Sequence, residues 1–350
     1  MRKVLLRFVF DNLWQWQAVG NELHVGAAWL MLLWVALVGV VFGVMYAKSK
    51  RAAESAMSAG FWLIVPAALA AVWFFKLPIV KTGIPVFGYG LMMFAGFSSA
   101  TWLAARRVRE IGQPPEAIWD MMMWALIPGL IGARTIYLMQ NWNQVFAGKR
   151  GTDLLLAPFA LWDGGIVFYG SVLGGIVGVV IYCRRRGINP LAMFDVIAPS
   201  MFVGEGFGRI GCFLYGCCYG KACDLPWAVR FPPDSLTFEK LASQGRIIEN
   251  PISTIPLHPT QLYSSIAAFV LASILAWYFR RRRFDGAVLA LGWIIYPINR
   301  FVLETLRDDE GTRLGTMFTF SQLVSIGLLI SGIGAMGYFS TRGTLTRAPK

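Results

Sequence analysis

Glu205 and Arg209 stand four residues apart, and Tyr296, Arg300, Glu304 and Arg307 follow at i, i+4, i+8 and i+11. Each spacing sets its members on one face of a helix. All of these side chains lie in, or at the end of, long apolar runs, and Arg134 lies inside another. A charged group within a membrane span is costly, so by default it marks a site rather than a surface. Ion pairs that merely hold helices together are the competing reading, and it fits Glu205 and Arg134 best. Arg134, Arg209 and Arg300 together over-supply any single carboxylate. A surplus of guanidinium in a dry place calls for an anion. In a bilayer the nearest anion is a lipid phosphate, which arginine grips with paired hydrogen bonds.

The elements that must carry these residues follow from composition. The chain has 350 residues, 56% hydrophobic and only 15% charged, with a mean hydropathy of +0.56. Soluble domains average about 45–50% apolar and ~25% charged, so a water-soluble enzyme is excluded, and so is a disordered chain. A net charge of +13 on a soluble protein would suggest nucleic acid. On an apolar chain it marks cytoplasmic loops, and no nucleic-acid partner is expected. Nine stretches are apolar enough, at about 20 residues each, to span: Val25–Ala47, Phe61–Val80, Gly83–Ala105, Met121–Trp142, Gly164–Cys183, Asp195–Phe213, Gln261–Phe279, Gly286–Leu303 and Leu314–Thr341.

Basic clusters follow the first, third, fifth, seventh and ninth of them: Lys48, Lys50 and Arg51; Arg106, Arg107 and Arg109; Arg184–Arg186; Arg280–Arg283; Arg342, Arg347 and Lys350. One orientation puts all five on the cytoplasmic side, which sets the charged faces towards the outer leaflet. The expected fold is an all-α polytopic membrane protein. Its expected parts are an N-terminal extension with two spans (1–82), a membrane core (83–341) with a loop-rich outer insert (214–260), and a cytoplasmic tail (342–350). Phe8–Gln17 reads as an interfacial amphipathic segment.

Glycine is the second signal. Gly170, Gly174, Gly175 and Gly178 follow Asp163-Gly164-Gly165, a spacing that suits close helix packing as well as a site. Gly204, Gly206, Gly208, Gly211, Gly216 and Gly220 are denser than packing requires. An interrupted helix is tolerated at membrane depth where it lines a cavity, so 204–220 is expected to line one, with Arg209 pointing in. Cys212, Cys217, Cys218 and Cys223 lie on the outer side. Their spacing is a poor zinc signal, and no metal is expected. A disulfide of Cys223 with Cys217 or Cys218 and plain core filling are both open. No cofactor motif is present.

Read together, these residues resemble the prolipoprotein diacylglyceryl transferases, from about Ile84 to Tyr338. Five ordered motifs carry the likeness. They are Tyr89-Gly90-Leu91, Trp162-Asp163-Gly164-Gly165, Gly208-Arg209-Ile210-Gly211 with Phe213, Gly216 and Gly220, His258-Pro259-Thr260-Gln261-Leu262-Tyr263, and Tyr296 through Arg300 and Glu304 to Arg307-Asp308. The resemblance implies transfer of a diacylglyceryl group from phosphatidylglycerol to the lipobox cysteine of prolipoproteins. It also implies a site in the outer leaflet of a bacterial inner membrane, with membrane lipids around it. By the same resemblance, spans one and two are additions to the family's seven.

The chain departs from the family at four places. Tyr169, before Gly170, stands where the family has histidine, Cys212 where it has asparagine, Cys217 where it has an acid, and Ser264 where it has glutamate. Such a reaction needs a thiolate, in-line positioning and stabilisation of the leaving phosphate. Tyr169, Arg209, Arg300, Glu304 and His258 are the expected catalytic set. Tyr89, Arg134, Asp163, Gly164, Gly165, Gly170, Cys212, Cys217, Gly220, Gln261, Tyr263, Tyr296 and Arg307 are the expected substrate-binding set. A phenol, with a reference pKa of ~10, is a poor base. An imidazole is better matched, though His258 serves equally well as a loop-to-helix anchor, and Glu304 as a partner for Arg300. Alternatives on the same scaffold are a paralogue with another acceptor or lipid, and a non-catalytic phospholipid-binding or translocating protein.

Overall fold

A computed structural model describes residues 4–9, 14–19, 22–33, 35–36, 84–147, 151, 157–159, 165, 167–246, 253–308, 318–342 and 345–346. The chain divides into two compact units, Met1–Phe94 with Ile210–Gln261, and Ala95–Arg209 with Leu262–Lys350.

The first unit opens with strands β1 (Val4–Val9), β2 (Trp16–Val19), β3 (Glu22–Gly26) and β4 (Ile84–Phe87). They form a sheet in the order β2-β3-β1-β4, with β1 parallel to β3 and antiparallel to β4. Two sequence expectations are corrected here. The fold is mostly helical but not all-α, and the Phe8–Gln17 region contributes strands rather than an amphipathic surface segment. The physical reason is non-local. β1 is a mostly apolar segment with valine at each end, favourable to strand, whose partner β4 lies far along the chain. Arg7 Nε reaches Glu22 Oε2 at 2.7 Å across the sheet. Trp14 and Trp16 both stack edge-on against Trp29, with ring centroids 5.9 and 5.8 Å away. Residue 27 begins helix, so the first expected span starts at its N-terminal end as strand, and its remainder from 37 lies outside the described residues, as does all of Phe61–Val80.

The insert of the same unit has its own small core of Tyr219, Phe231, Leu241 and Leu257. Its helix α6 (Leu236–Ser243) is capped by Ser235 Oγ, which accepts from Phe238 N. The insert is therefore packed rather than merely loop-rich.

Seven longer helices occupy the places of spans three to nine: α1 (Gly88–Arg107), α2 (Glu116–Gln140), α4 (Phe168–Arg186), α5 (Pro190–Tyr215), α7 (Thr260–Phe279), α8 (Ala287–Thr305) and α9 (Phe320–Arg342). The short α3 (Trp142–Phe146) follows α2. Among the described residues, five helices (α2, α5, α7, α8 and α9) are long and apolar enough to cross a membrane. Glycine, serine and terminal arginine dilute α1 and α4.

In the second unit α4 lies against α2 along a glycine seam. A Cβ at Gly170, Gly174 or Gly178 would strike the carbonyl oxygen of Gly132, Pro128 or Trp124 respectively. These three glycines recur every four residues, one per turn, and let the two backbones touch. At one end of α8 the buried Asp195 accepts hydrogen bonds from Gly286 N and Leu289 N, each 2.9 Å, which satisfies orphan donors of the helix N-terminus. Arg282 lies 3.6 Å from Asp195 and 3.9 Å from Asp285. It is buried, so this member of the Arg280–Arg283 cluster is structural.

Candidate functional site

In the second unit the expected residues gather around Tyr296. α8 is helical from Ala287 to Thr305, so Tyr296, Arg300 and Glu304 rise along one face. Phe202 of α5 packs on the Tyr296 ring at 5.7 Å between centroids. One to two turns further along α5 come Glu205 and Arg209. Glu205, Arg209, Arg300 and Tyr169 all lie within electrostatic reach of the Tyr296 phenol. Tyr169 is exposed in the first turn of α4. Four separately predicted residues on three helices thus share one neighbourhood.

The ion pairs within it are unequal. Arg209 Nη2 lies 3.4 Å from Glu205 Oε1. Arg300 Nη2 lies 3.0 Å from Glu304 Oε2 and donates to Ser321 Oγ of α9 at 3.2 Å. Arg307 Nε lies 3.8 Å from the same Glu304 oxygen. Three guanidiniums thus meet two carboxylates. Glu304 is buried between the two arginines. Exposure separates the arginines: the side chains of Arg209 and Arg300 are 21% and 17% exposed, that of Arg307 only 8%. Arg209 and Arg300 are thus the more exposed of the three. Ser321 was not legible beforehand, since a lone serine near the start of a span carries no pattern.

Arg134, expected in the substrate-binding set, is buried against backbone carbonyls. Its Nε donates to Pro158 O at 2.7 Å, Nη2 to Ala157 O at 2.8 Å and Nη1 to Gly165 O at 3.2 Å. With all three nitrogens committed to backbone carbonyls, it ties down the segment that leads into α4. Gly165 has φ +82°, and a Cβ there would collide with the Tyr137 ring and Arg134 Nη1. Asp163 and Gly164 lie outside the described residues. Gly170 is part of the α2–α4 seam, which accounts for its lack of a side chain.

Within 204–220 the helix α5 is continuous to Tyr215, so the interruption falls at Gly216 rather than earlier in the glycine run. Its glycines meet neighbours instead. A Cβ at Gly206 would fall 2.7 Å from the Phe269 ring, and one at Gly211 3.0 Å from Tyr89 Cδ2. Gly216, at φ +74°, ends the helix. Its N–H bonds Phe213 O while that of Cys217 bonds Cys212 O, a Schellman closure.

In the first unit Tyr89 is exposed and packs at 6.1 Å from Tyr215. Gly220 lets two loops meet, since a Cβ there would fall 2.7 Å from His258 Cβ, and its N–H bonds His258 O. His258 N in turn bonds Lys221 O, so the backbone of His258 is an anchor between loops. Gln261 is buried and donates from Nε2 to Cys217 O at 2.6 Å. Tyr263, in the second unit, is partly buried in the first turn of α7.

All five cysteines are free thiols. The sulfurs of Cys212, Cys217 and Cys218 lie within 4.8 Å of one another. Hydrogen bonding with Cys212 and Cys218, with burial added, holds the Cys217 thiol well above the ordinary cysteine range, so it stays protonated.

Comparison with known proteins adds to this geometry. A family model described as prolipoprotein diacylglyceryl transferase matches residues 78–338. A relative from Clostridium tetani named phosphatidylglycerol–prolipoprotein diacylglyceryl transferase is 36% identical over 253 residues, covering 72% of this chain and 92% of the relative. A second, numbered 2 under the same name in Clostridium perfringens, is 33% identical, covering 72% and 90%. A third from Gloeobacter violaceus is 31% identical, covering 76% and 93%.

Proposed function

The chain belongs to the prolipoprotein diacylglyceryl transferase family, and from that premise we propose that it transfers the diacylglyceryl group of phosphatidylglycerol to the lipobox cysteine of prolipoproteins. The protein is a multi-pass membrane transferase. Nine spans, a bacterial inner-membrane location and an outer-leaflet site are the finer parts of the proposal, supported by the one-sided basic clusters.

The observation that carries the site is the pair of accessible arginines, Arg209 and Arg300, set beside Tyr296 on neighbouring helices. In the proposed reaction the acceptor sulfur attacks the glycerol carbon that bears the phosphate. A carbon–sulfur bond forms, the carbon–oxygen bond breaks, and glycerol phosphate leaves with the bonding pair. Arg209 and Arg300 hold the phosphate and take up the charge that develops on it. Arg300 shares its guanidinium between the phosphate and Glu304, whose carboxylate Arg307 also faces. Tyr169 donates a hydrogen bond to a phosphate oxygen. The thiol proton passes to the departing phosphate monoester, whose second pKa of ~6 makes it a competent acceptor. Neither ion-paired glutamate is then required as a base.

Complementation tests this reading. In a strain depleted of its own transferase, the chain is expected to restore lipidation of a reporter prolipoprotein. Correct membrane insertion without lipidation would instead favour a lipid-binding protein or a paralogue with another acceptor.

A further inference from the structure

Cys212 and Cys217 belong to the expected substrate-binding set, but no step of the transfer proposed above uses the three clustered thiols. We propose that Cys212, Cys217 and Cys218 form a three-thiolate site for a thiophilic d10 cation, Zn2+ or Cu+.

Proximity is the first ground. The sulfurs lie within 4.8 Å of one another. Zinc–sulfur bonds of ~2.3 Å set tetrahedral ligands ~3.8 Å apart. An ion therefore has to draw the sulfurs together by no more than about 1 Å, which side-chain rotation supplies.

Construction of the loop is the second ground. The Schellman closure at Gly216 reverses the chain, so that Cys217 returns over the last turn of α5, which carries Cys212. Cys218 then adopts φ +60° and is the only non-glycine residue with positive φ among those described. Such a conformation persists only where its surroundings enforce it. Here they do, because Thr260 Oγ1 donates to Cys218 O at 3.0 Å and Gln261 Nε2 to Cys217 O at 2.6 Å. Two residues at the start of α7 thus clamp both carbonyls of the vicinal pair, and the strained turn delivers the Cys218 thiol to the other two.

A third ground is the amide itself. Gln261 Oε1 is fully buried and has no hydrogen-bond partner among the described residues, although its Nε2 rests on Cys217. A buried acceptor left idle is costly. A water in the ion's fourth position would give it a donor.

The donor set selects the cation class. Thiolates favour Zn2+ and Cu+ over magnesium or calcium. Binding displaces the thiol protons, and no electrons move. Cys223 is also a free thiol but lies outside the trio.

Cadmium is the spectroscopic probe. The full-length protein, reduced and held in lipid nanodiscs, is titrated with Cd2+ and followed by thiolate-to-metal charge-transfer absorption. One equivalent should saturate the band, and excess Zn2+ should bleach it. Alkylation followed by mass spectrometry should show Cys212, Cys217 and Cys218 protected by the ion, and Cys223 not. Cys217→Ser should remove the band and Cys223→Ser should leave it. Unchanged alkylation of the trio in the presence of Cd2+, measured on the unsubstituted protein, overturns the proposal. So does a disulfide within the trio in protein isolated from membranes without reductant.

Discussion

Arginines of one chemical type do three jobs in the second unit, and what each touches decides which. Arg134 spends its nitrogens on carbonyls at 157, 158 and 165, Arg307 faces Glu304 at low exposure, and Arg209 and Arg300, each beside a glutamate, are the more exposed. Arg300→Ala is therefore expected to lower transfer to a lipobox peptide by about 10²–10³-fold, as for loss of one stabilising donor, with the helical signal unchanged by circular dichroism. Arg134→Lys should act differently. A single ammonium cannot serve three carbonyls in a planar fan, so the loss appears as reduced thermal stability. Tyr169→Phe should cost about tenfold in the same peptide assay. An unaltered rate would remove the hydroxyl from the site. The i, i+4 pairs were legible in the sequence because a helix makes its own neighbours. The duty of Arg134 was not, because its acceptors are backbone atoms at distant positions that leave no mark in residue type.

Helices were legible where their own periodicity or apolar length announced them, and illegible where a partner decided. Gly170, Gly174 and Gly178 were open to both a packing and a site reading. Their reach to carbonyls of α2 resolves it for packing. Gly174→Ala should destabilise the protein by about 1–3 kcal/mol, read as a lower midpoint in detergent unfolding, while lipid binding at saturation is retained. The glycine-rich stretch 204–220 was expected to interrupt the helix, and it does so only at Gly216. Up to that point it stays helical because its glycines admit Phe269 and Tyr89 rather than bending the backbone. Asp195 sits mid-chain in an apolar run and gave no sign that it caps α8. Asp195→Ala leaves two N–H donors and Arg282 without their shared acceptor. A cost of about 3 kcal/mol or more is expected, seen as lost thermal stability and poor expression. β1 was missed because its partner β4 lies far along the chain, Phe8 pairing with Ile84, whereas β2 and β3 form a local hairpin, Val19 opposite Glu22, that the mixed Trp and Gln pattern of 16–19 disguised.

At the scale of the whole chain the charge pattern carries most of the information. Basic clusters recur after alternate spans, so a single orientation satisfies them all. That reading predicts opposite sides for the insert and the C-terminal tail. An epitope inserted between Gln244 and Gly245 should be recognised on intact spheroplasts, and one placed after Lys350 only after permeabilisation. Detection of both on the same side would contradict the assigned orientation. Length and composition could identify a membrane protein, and the ordered motifs pointed to the family. The β1–β4 pairing and the packed core of the insert left no mark in the sequence, since each depends on contacts between segments apart along the chain.

The central claim is a transfer reaction run by two part-exposed arginines, Arg209 and Arg300, and one measurement addresses it directly. The purified protein, in nanodiscs containing phosphatidylglycerol labelled in its acyl chains, is incubated with a lipobox peptide, and both the peptide mass and released glycerol phosphate are followed. The expected result is one diacylglyceryl adduct on the peptide thiol for each glycerol phosphate released, with both falling together in Arg209→Ala and Arg300→Ala. Adduct formation at an undiminished rate in the two variants, or none in the unsubstituted protein, would contradict it.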